Sequence, residues 1–260
     1  AQGAAVLGRV RGWSGVSWRE PIATFWSLAL GAALALVSQI YHLGGTFDGF
    51  LFMWLLLGVP VVYLQRSVLA GALYAAGALA WACQPAVTDE TVLGFWLWLA
   101  ALIPFVRARW TRERFTSGTT FLLWILAAVM TAGVGVSLAR ALPGLWIIVH
   151  ASWFALLILA DRRWFDDAPS LWHRPLHVAG WLGAVGLALI LTYDWPWRSI
   201  GWSHYRHDVA AWRQMADGIL TVVVAGSAAL MAVSNRRALR DLTGVAVLLP
   251  AAAVAGFWFA

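Results

Sequence analysis

Two histidines and an aspartate lie close together in the last quarter of the chain. His204 and His207 are three residues apart, and Asp208 follows directly. On a helix the two imidazoles would share one face, and two imidazoles with a carboxylate can bind zinc or another divalent cation. A complete metal site usually needs a further ligand and hydrogen-bonded support for its ligands. An amphipathic interfacial helix over residues 203–216 is the favoured alternative, so no metal is predicted.

A second polar group lies in a short turn between two apolar runs. Gln39, Tyr41 and His42 end the first run, and Asp48 falls in the first turn of the next. Because the turn is too short to leave the membrane surface, we expect all four side chains at one membrane face. They either cap the interface, where Tyr and His are at home among headgroups, or form a small polar site at the rim. The interfacial cap is the favoured interpretation.

The same turn predicts a helical hairpin. Gly44-Gly45 supplies the left-handed backbone that ends a helix, and Thr46 is the expected N-cap of the next one. The loop 194–217 is the longest loop predicted on that side of the membrane, and it carries Arg198, which could pair with Asp48. We therefore expect this loop to pack as a lid against the hairpin.

His150 is the clearest ionisable residue at membrane depth, near the middle of an apolar run over residues 142–160. Because a charge is costly inside a membrane, an ionisable residue there is a candidate for function. The favoured alternative is a neutral imidazole that is hydrogen-bonded to a neighbouring helix. No Asp, Glu or Arg lies near the centre of any predicted helix, which argues against an ion-coupled transporter or proton pump.

The sequence contains none of the common catalytic signatures. There is no P-loop, no glycine-rich nucleotide fingerprint, no Gly-x-Ser-x-Gly and no His-Glu-x-x-His. The single cysteine, Cys83, excludes an internal disulfide and a cysteine-based metal cluster. We therefore predict no cofactor, and the sequence favours a protein without catalytic activity over an enzyme.

Composition determines the class of protein that must position these residues. Hydrophobic residues make up 62% of the chain and charged residues 12%, whereas soluble domains carry about 25% charged residues. Eighteen arginines against twelve acidic residues give a net charge of +6. Because the arginines are dispersed between apolar runs, they reflect membrane topology and not a nucleic-acid partner. The sequence predicts an all-α, polytopic helical membrane protein in a bacterial inner membrane, with the lipid bilayer as its surroundings.

About nine transmembrane helices are predicted, preceded by a cytoplasmic or interfacial arm over residues 1–21 and forming one bundle over 22–260. The predicted segments are 22–41, 47–64, 67–83, 91–106, 118–138, 142–160, 176–193, 218–234 and 242–260. Fourteen of the eighteen arginines fall on one side of this alternation, and only Arg140, Arg198, Arg206 and Arg213 fall on the other. By the positive-inside rule the N-terminus is then cytoplasmic.

Two further patterns concern surfaces. The loop 107–115 is basic and aromatic, which is typical of an anchor for anionic lipid and, second, of a partner-docking surface. Small residues recur at close spacing in several predicted helices, as at Gly71, Ala75 and Ala78, and at Ala179, Gly183 and Gly186. Such stripes let helix backbones approach each other closely.

The hairpin region, LALGAALALVSQIYHLGGTFDGFLFMWLLLGVPVVYLQRSVLAGAL, resembles a bacterial family of predicted multi-helix membrane proteins of unknown function. Its members have an (A/S)QIYHxxG turn between two helices, and the match covers about residues 28–80. The resemblance implies a helical membrane fold and no activity.

Three functions are consistent with these observations. The favoured one is an accessory or scaffold subunit that associates with other membrane proteins. A carrier or flippase for a lipid or apolar solute would need a cavity lined by the hairpin residues and His150. A metal-dependent membrane enzyme would use His204, His207 and Asp208.

Overall fold

The computed structural model describes residues 16–198, except 43, 85–86, 88–91 and 139–145, and single helical positions between 215 and 233. No strand occurs among these described residues, which confirms the all-α class for this part of the chain. The α-helices are α1 (Val16–Ile40), α2 (Phe47–Gln65), α3 (Val68–Ala82), α4 (Gly94–Ala100), α5 (Ile103–Arg112), α6 (Ser117–Gly133), α7 (Trp146–Trp164), α8 (Pro175–Ile190) and α9 (Trp195–Arg198). A π-helical segment, Val134–Leu138, continues α6, and a 3-10 turn, Leu171–His173, precedes α8.

In the part of the chain that the structure describes, three helices are long and apolar enough to cross a membrane: Trp18–Ile40, Phe47–Gln65 and Ser117–Ser137. The second has 19 residues, which at a rise of 1.5 Å per residue gives about 28 Å, close to the thickness of the hydrocarbon layer. Helices α3 and α8 are apolar but shorter. The remaining spans, the count of nine and the cytoplasmic N-terminus stay predictions.

One predicted segment lies within a longer helix, and another is divided. Helix α1 begins at Val16, so it contains residues 22–40 of the first predicted segment and the last residues of the predicted arm. The predicted segment 91–106 consists of two helices, α4 and α5. Pro104 lies in the first turn of α5, where its missing N–H cannot continue the hydrogen-bond ladder from the preceding helix.

The chain divides into two compact units, residues 1–129 and 130–260. In the first unit, Trp54 of α2 connects α1 and α3. Its indole Nε1 donates to the carbonyl of Ser27 in α1 at 2.8 Å. A Cβ on Gly77 of α3 would lie 2.2 Å from the Trp54 ring. Only a glycine at position 77 therefore lets α3 approach the indole.

The glycine stripe of α3 is confirmed as a packing surface. Gly71, Ala75 and Ala78 are all buried, and a Cβ on Gly71 would lie 3.0 Å from the ring of Phe105 in α5. The ring of Phe105 in α5 therefore packs against α3 at a position without a side chain, as expected where lipid provides no hydrophobic driving force between helices.

In the second unit, α7 and α8 pack through glycines of α8. A Cβ on Gly183 would lie 2.0 Å from the Phe154 ring, and one on Gly180 would lie 2.7 Å from the Ile158 side chain. Nothing lies within 4 Å of a Cβ on Gly186. The predicted stripe therefore includes Gly183 but not Gly186, and Gly180 takes the other contact position.

Candidate functional site

The tip of the α1–α2 hairpin carries four of the predicted site residues. Gln39, Tyr41 and His42 are exposed, with Tyr41 at 72%, and Asp48 is half-buried in the first turn of α2. The Nδ1 atom of His42 lies 3.2 Å from the carbonyl oxygen of Ile40, two residues earlier in the chain. Among the described residues, no hydrogen bond or ion pair joins His42 to Asp48. These side chains share one tip and leave most of their hydrogen-bonding groups available to a partner or to headgroups.

The turn at this tip has a different backbone from the predicted one. His42 adopts the left-handed conformation, with φ 50°, whereas Gly44 does not. The left-handed region costs about 1–2 kcal/mol for a residue with a Cβ, and histidine is among the side chains found there more often. Thr46 is the N-cap of α2 by position, but its side chain makes no capping hydrogen bond.

His150 lies on α7, half-buried, and faces the π-helical segment of the second unit. Its Nδ1 lies 2.7 Å from the Trp146 carbonyl one turn earlier. If Nδ1 carries the proton and donates to this carbonyl, Nε2 is left as a hydrogen-bond acceptor. That Nε2 lies 3.7 Å from where a Cβ on Gly135 would be. The predicted partner on a neighbouring helix is therefore replaced by a carbonyl of its own helix.

Two features on different sides of α7, one beside His150 and one at Ser152, are of the kind that accompany functional sites. Gly135 belongs to the π-helical segment Val134–Leu138, and such segments occur often at sites of function. On α7, the buried hydroxyl of Ser152 has no hydrogen-bond partner among the described residues. Trp146 stacks on Trp195 with centroids 6.1 Å apart, so the surroundings of the imidazole include aromatic rings.

A buried carboxylate that the sequence analysis missed lies at the end of α7. Asp161 is completely buried, and its carboxylate accepts from Arg174 Nε at 3.0 Å and from Arg174 Nη2. His177 Nδ1 lies 3.3 Å from the same carboxylate but without hydrogen-bond geometry. The spacing along α7 could have revealed this burial, because Asp161 follows Phe154, Leu157 and Ile158 on one helical face.

A second missed residue is Glu20 in α1. Its Oε1 accepts from the amide of Val68 at 3.1 Å, and its Oε2 accepts from the amide of Leu69 at 3.0 Å and from the Ser67 hydroxyl. The Ser67 hydroxyl accepts from the amide of Ala70. A carboxylate from one helix therefore caps the N-terminus of α3, where the helix dipole favours negative charge. No local sequence signal identifies this contact, because the partners are 47 to 49 residues apart.

The described residues contain no group of three or more His, Cys, Asp or Glu side chains that could hold a metal ion. His204, His207 and Asp208 lie outside the described residues, as does most of the loop 194–217 that contains them. The predicted lid and the metal alternative therefore stay predictions.

In comparisons with known proteins, the part of the chain that matches includes the α1–α2 hairpin. Residues 2–71 match a family model described as "Predicted membrane protein (DUF2157)". The match covers α1, α2 and the first turn of α3, which is most of the region that carries the resemblance. No curated protein and no solved structure matches the chain. Together with its apolar helices, the match indicates a membrane protein with several apolar helices.

Proposed function

We propose that this protein is a multi-pass protein of the bacterial inner membrane and an accessory or scaffold subunit, which docks another membrane protein at the tip of the α1–α2 hairpin. The exposure of Gln39, Tyr41 and His42 at this tip supports the proposal. Tyr41 is 72% exposed, and tyrosine is enriched where proteins bind each other. A carrier would need these side chains to line a cavity.

The left-handed backbone of His42 also supports docking at the tip. Residues held in sparsely populated conformations cluster at functional positions. A glycine at position 42 would relieve the conformational cost but would remove the imidazole.

The flanks of the hairpin extend the surface that a partner could cover. Large apolar side chains are exposed along α1 and α2, including Phe25, Leu28, Leu36, Phe52 and Leu56. In a membrane this surface faces lipid or a partner helix. A partner that contacts the polar tip would therefore meet an apolar surface along the same two helices.

Photocrosslinking in intact membranes tests this function. A photoreactive amino acid replaces Tyr41 at the tip and, as a matched control, Leu97, which is equally exposed in α4. We expect a protein adduct of one defined mass from position 41 and only lipid adducts from position 97. The combined change Gln39→Ala and His42→Ala should reduce the adduct at position 41. If position 41 gives no protein adduct, or the same adducts as position 97, docking at the tip is wrong.

A carrier or flippase is the second candidate, and the surroundings of His150 favour it. An imidazole beside a glycine of the π-helical segment could serve the polar group of a passing lipid. Purified protein in vesicles with fluorescent phospholipids tests this function. Lipid transfer between leaflets that is no faster than in protein-free vesicles would exclude flippase activity for those lipids, whereas transfer that His150→Leu slows would support it.

A further inference from the structure

The exposed half of α5 changes from apolar to basic along its length. Ile103, which is 62% exposed, and Pro104 lie in the first turn, Arg107 follows one turn later, and Arg112 ends the helix. Residues four apart lie above one another on a helix. Ile103, Arg107 and Thr111 therefore form one line of exposed residues, and Pro104, Ala108 and Arg112 form the other.

Both lines begin with apolar residues and then become basic, the first at Arg107 and the second at Arg112. The helix rises about 14 Å from Ile103 to Arg112. The apolar end suits acyl chains and the basic end suits headgroups, because a long arginine side chain places its apolar stem against hydrocarbon and its guanidinium in the polar layer. The exposed side of α5 therefore has the polarity of a surface that crosses the membrane boundary.

The other arginines of this region are held within the protein. The side chain of Arg109 is only 12% exposed, is paired with Glu113, and donates to the Arg66 carbonyl and the Thr119 hydroxyl. The guanidinium of Arg114 lies 4.7 Å from the centroid of the Trp110 ring. In contrast, the side chains of Arg107 and Arg112 form no ion pair or hydrogen bond with a described residue.

We propose that the exposed face of α5 is a binding site for an anionic phospholipid, with its phosphate bound by Arg107 and Arg112 and an acyl chain along Ile103 and Pro104. A guanidinium matches phosphate oxygens in a two-point contact. The α5 face, defined by the six exposed residues above, carries two cations and no carboxylate. Phospholipids of zero net charge would therefore bind less well.

A lipid accounts for this face better than an acidic protein does. The two arginines are continuous with exposed apolar residues on the same helix, which an acidic soluble peptide would leave uncovered. A bound lipid would place its phosphate beside the arginines and its acyl chain beside the apolar residues of the α5 face. The proposal does not depend on the docking function, since it concerns α5 and not the hairpin tip.

Native mass spectrometry of the full chain in detergent tests the site, with dioleoylphosphatidylglycerol and dioleoylphosphatidylcholine as probes. We expect phosphatidylglycerol to be retained in preference to phosphatidylcholine. An arginine near an anionic membrane surface contributes about 1 kcal/mol, so Arg107→Gln with Arg112→Gln should weaken phosphatidylglycerol binding about tenfold to thirtyfold. Added salt should weaken binding to the unmodified protein more than to this variant.

Two controls make the result specific. Arg163→Gln with Arg198→Gln removes the same charge from the second unit, at an exposed position of α7 and at the last residue of α9. This variant should change phosphatidylglycerol binding less than twofold. Arg107→Lys with Arg112→Lys keeps the charge but loses the two-point contact, so it should bind phosphatidylglycerol better than the glutamine variant and less well than the unmodified protein. Equal retention of both lipids, unchanged retention after the glutamine changes, or an equal loss in the charge-matched control would each overturn the proposal.

Discussion

Asp161 and Arg174 are joined across the connection between α7 and α8. The carboxylate of Asp161 is completely buried, and Arg174, thirteen residues later, donates to it from Nε and Nη2. Since Arg174 is the residue before α8, this pair attaches the start of one helix to the end of the other. Further along the same two helices, glycines of α8 pack against Phe154 and Ile158 of α7.

Breaking this pair should destabilise the protein more than removing both charges. Asp161→Asn leaves a cation with a largely buried side chain, and Arg174→Gln leaves a buried anion. We expect each change to cost about 3 kcal/mol in the free energy of unfolding. The combination Asp161→Leu with Arg174→Met should cost less than either single change. Unfolding of the full chain in detergent by a denaturant measures these differences.

Asp166 provides the matched control for this prediction, because it is exposed in the same connection. Asp166→Asn should change the free energy of unfolding by less than about 0.5 kcal/mol. If Asp161→Asn is equally mild, the carboxylate does not hold the two helices together.

The carboxylate of Glu20 should protect the first amides of α3. Glu20→Ala removes the acceptor for the amides of Val68 and Leu69, so we expect a loss of about 1–2 kcal/mol. Hydrogen exchange followed by mass spectrometry should show faster exchange in peptides that contain these residues. Asp166→Ala removes an exposed carboxylate in the connection between α7 and α8, and it should leave this exchange unchanged. Equal effects of the two substitutions would contradict the capping role.

Glycines of α8 should respond to an added methyl group according to their position. Gly183→Ala places a Cβ 2.0 Å from the Phe154 ring, and we expect overpacking to cost about 1–3 kcal/mol. Gly186→Ala meets nothing within 4 Å and should raise stability slightly, because alanine is the better helix former. Thermal unfolding of the two variants in the same detergent makes the comparison. A loss of equal size at both positions would show that α8 does not pack on α7 through Gly183.

Local signals were sufficient for the helices whose ends are marked in the sequence. The predicted segment 47–64 corresponds to α2 (Phe47–Gln65), because Thr46 precedes the apolar run and Arg66 follows it. The predicted segment 67–83 corresponds to α3, whose N-cap Ser67 is a common capping residue. In both helices the residues that cap the helix flank the apolar run, so hydrophobicity and capping residues predict the same helix bounds.

Contacts between residues that are far apart in the sequence could not be predicted from the sequence. Glu20 looks like an ordinary polar residue before an apolar run, since its partners lie beyond the whole hairpin. The stripe of α8 was predicted as Ala179, Gly183 and Gly186, but the position of Phe154 on the facing helix decides which glycine is in contact. Likewise the turn at the hairpin tip places His42 and not Gly44 in the left-handed region, a choice that both residues allow.

Orientation in the membrane is the last prediction, and it rests on arginine alone. Fourteen arginines on one side of the predicted alternation against four on the other place the N-terminus and Arg112 in the cytoplasm and His204 in the periplasm. Three predicted spans separate Arg112 from His204, so the two must lie on opposite sides. Because Cys83 is exposed, single cysteines at these positions are tested in a Cys83→Ser background. A membrane-impermeant maleimide added to intact cells without an outer membrane should label His204→Cys, and should label Arg112→Cys only after lysis. If both positions, or neither, are labelled from outside, an even number of spans must separate them, which would contradict the count of nine. If only Arg112→Cys is labelled from outside, the count stands but the orientation of the protein is the reverse of the predicted one.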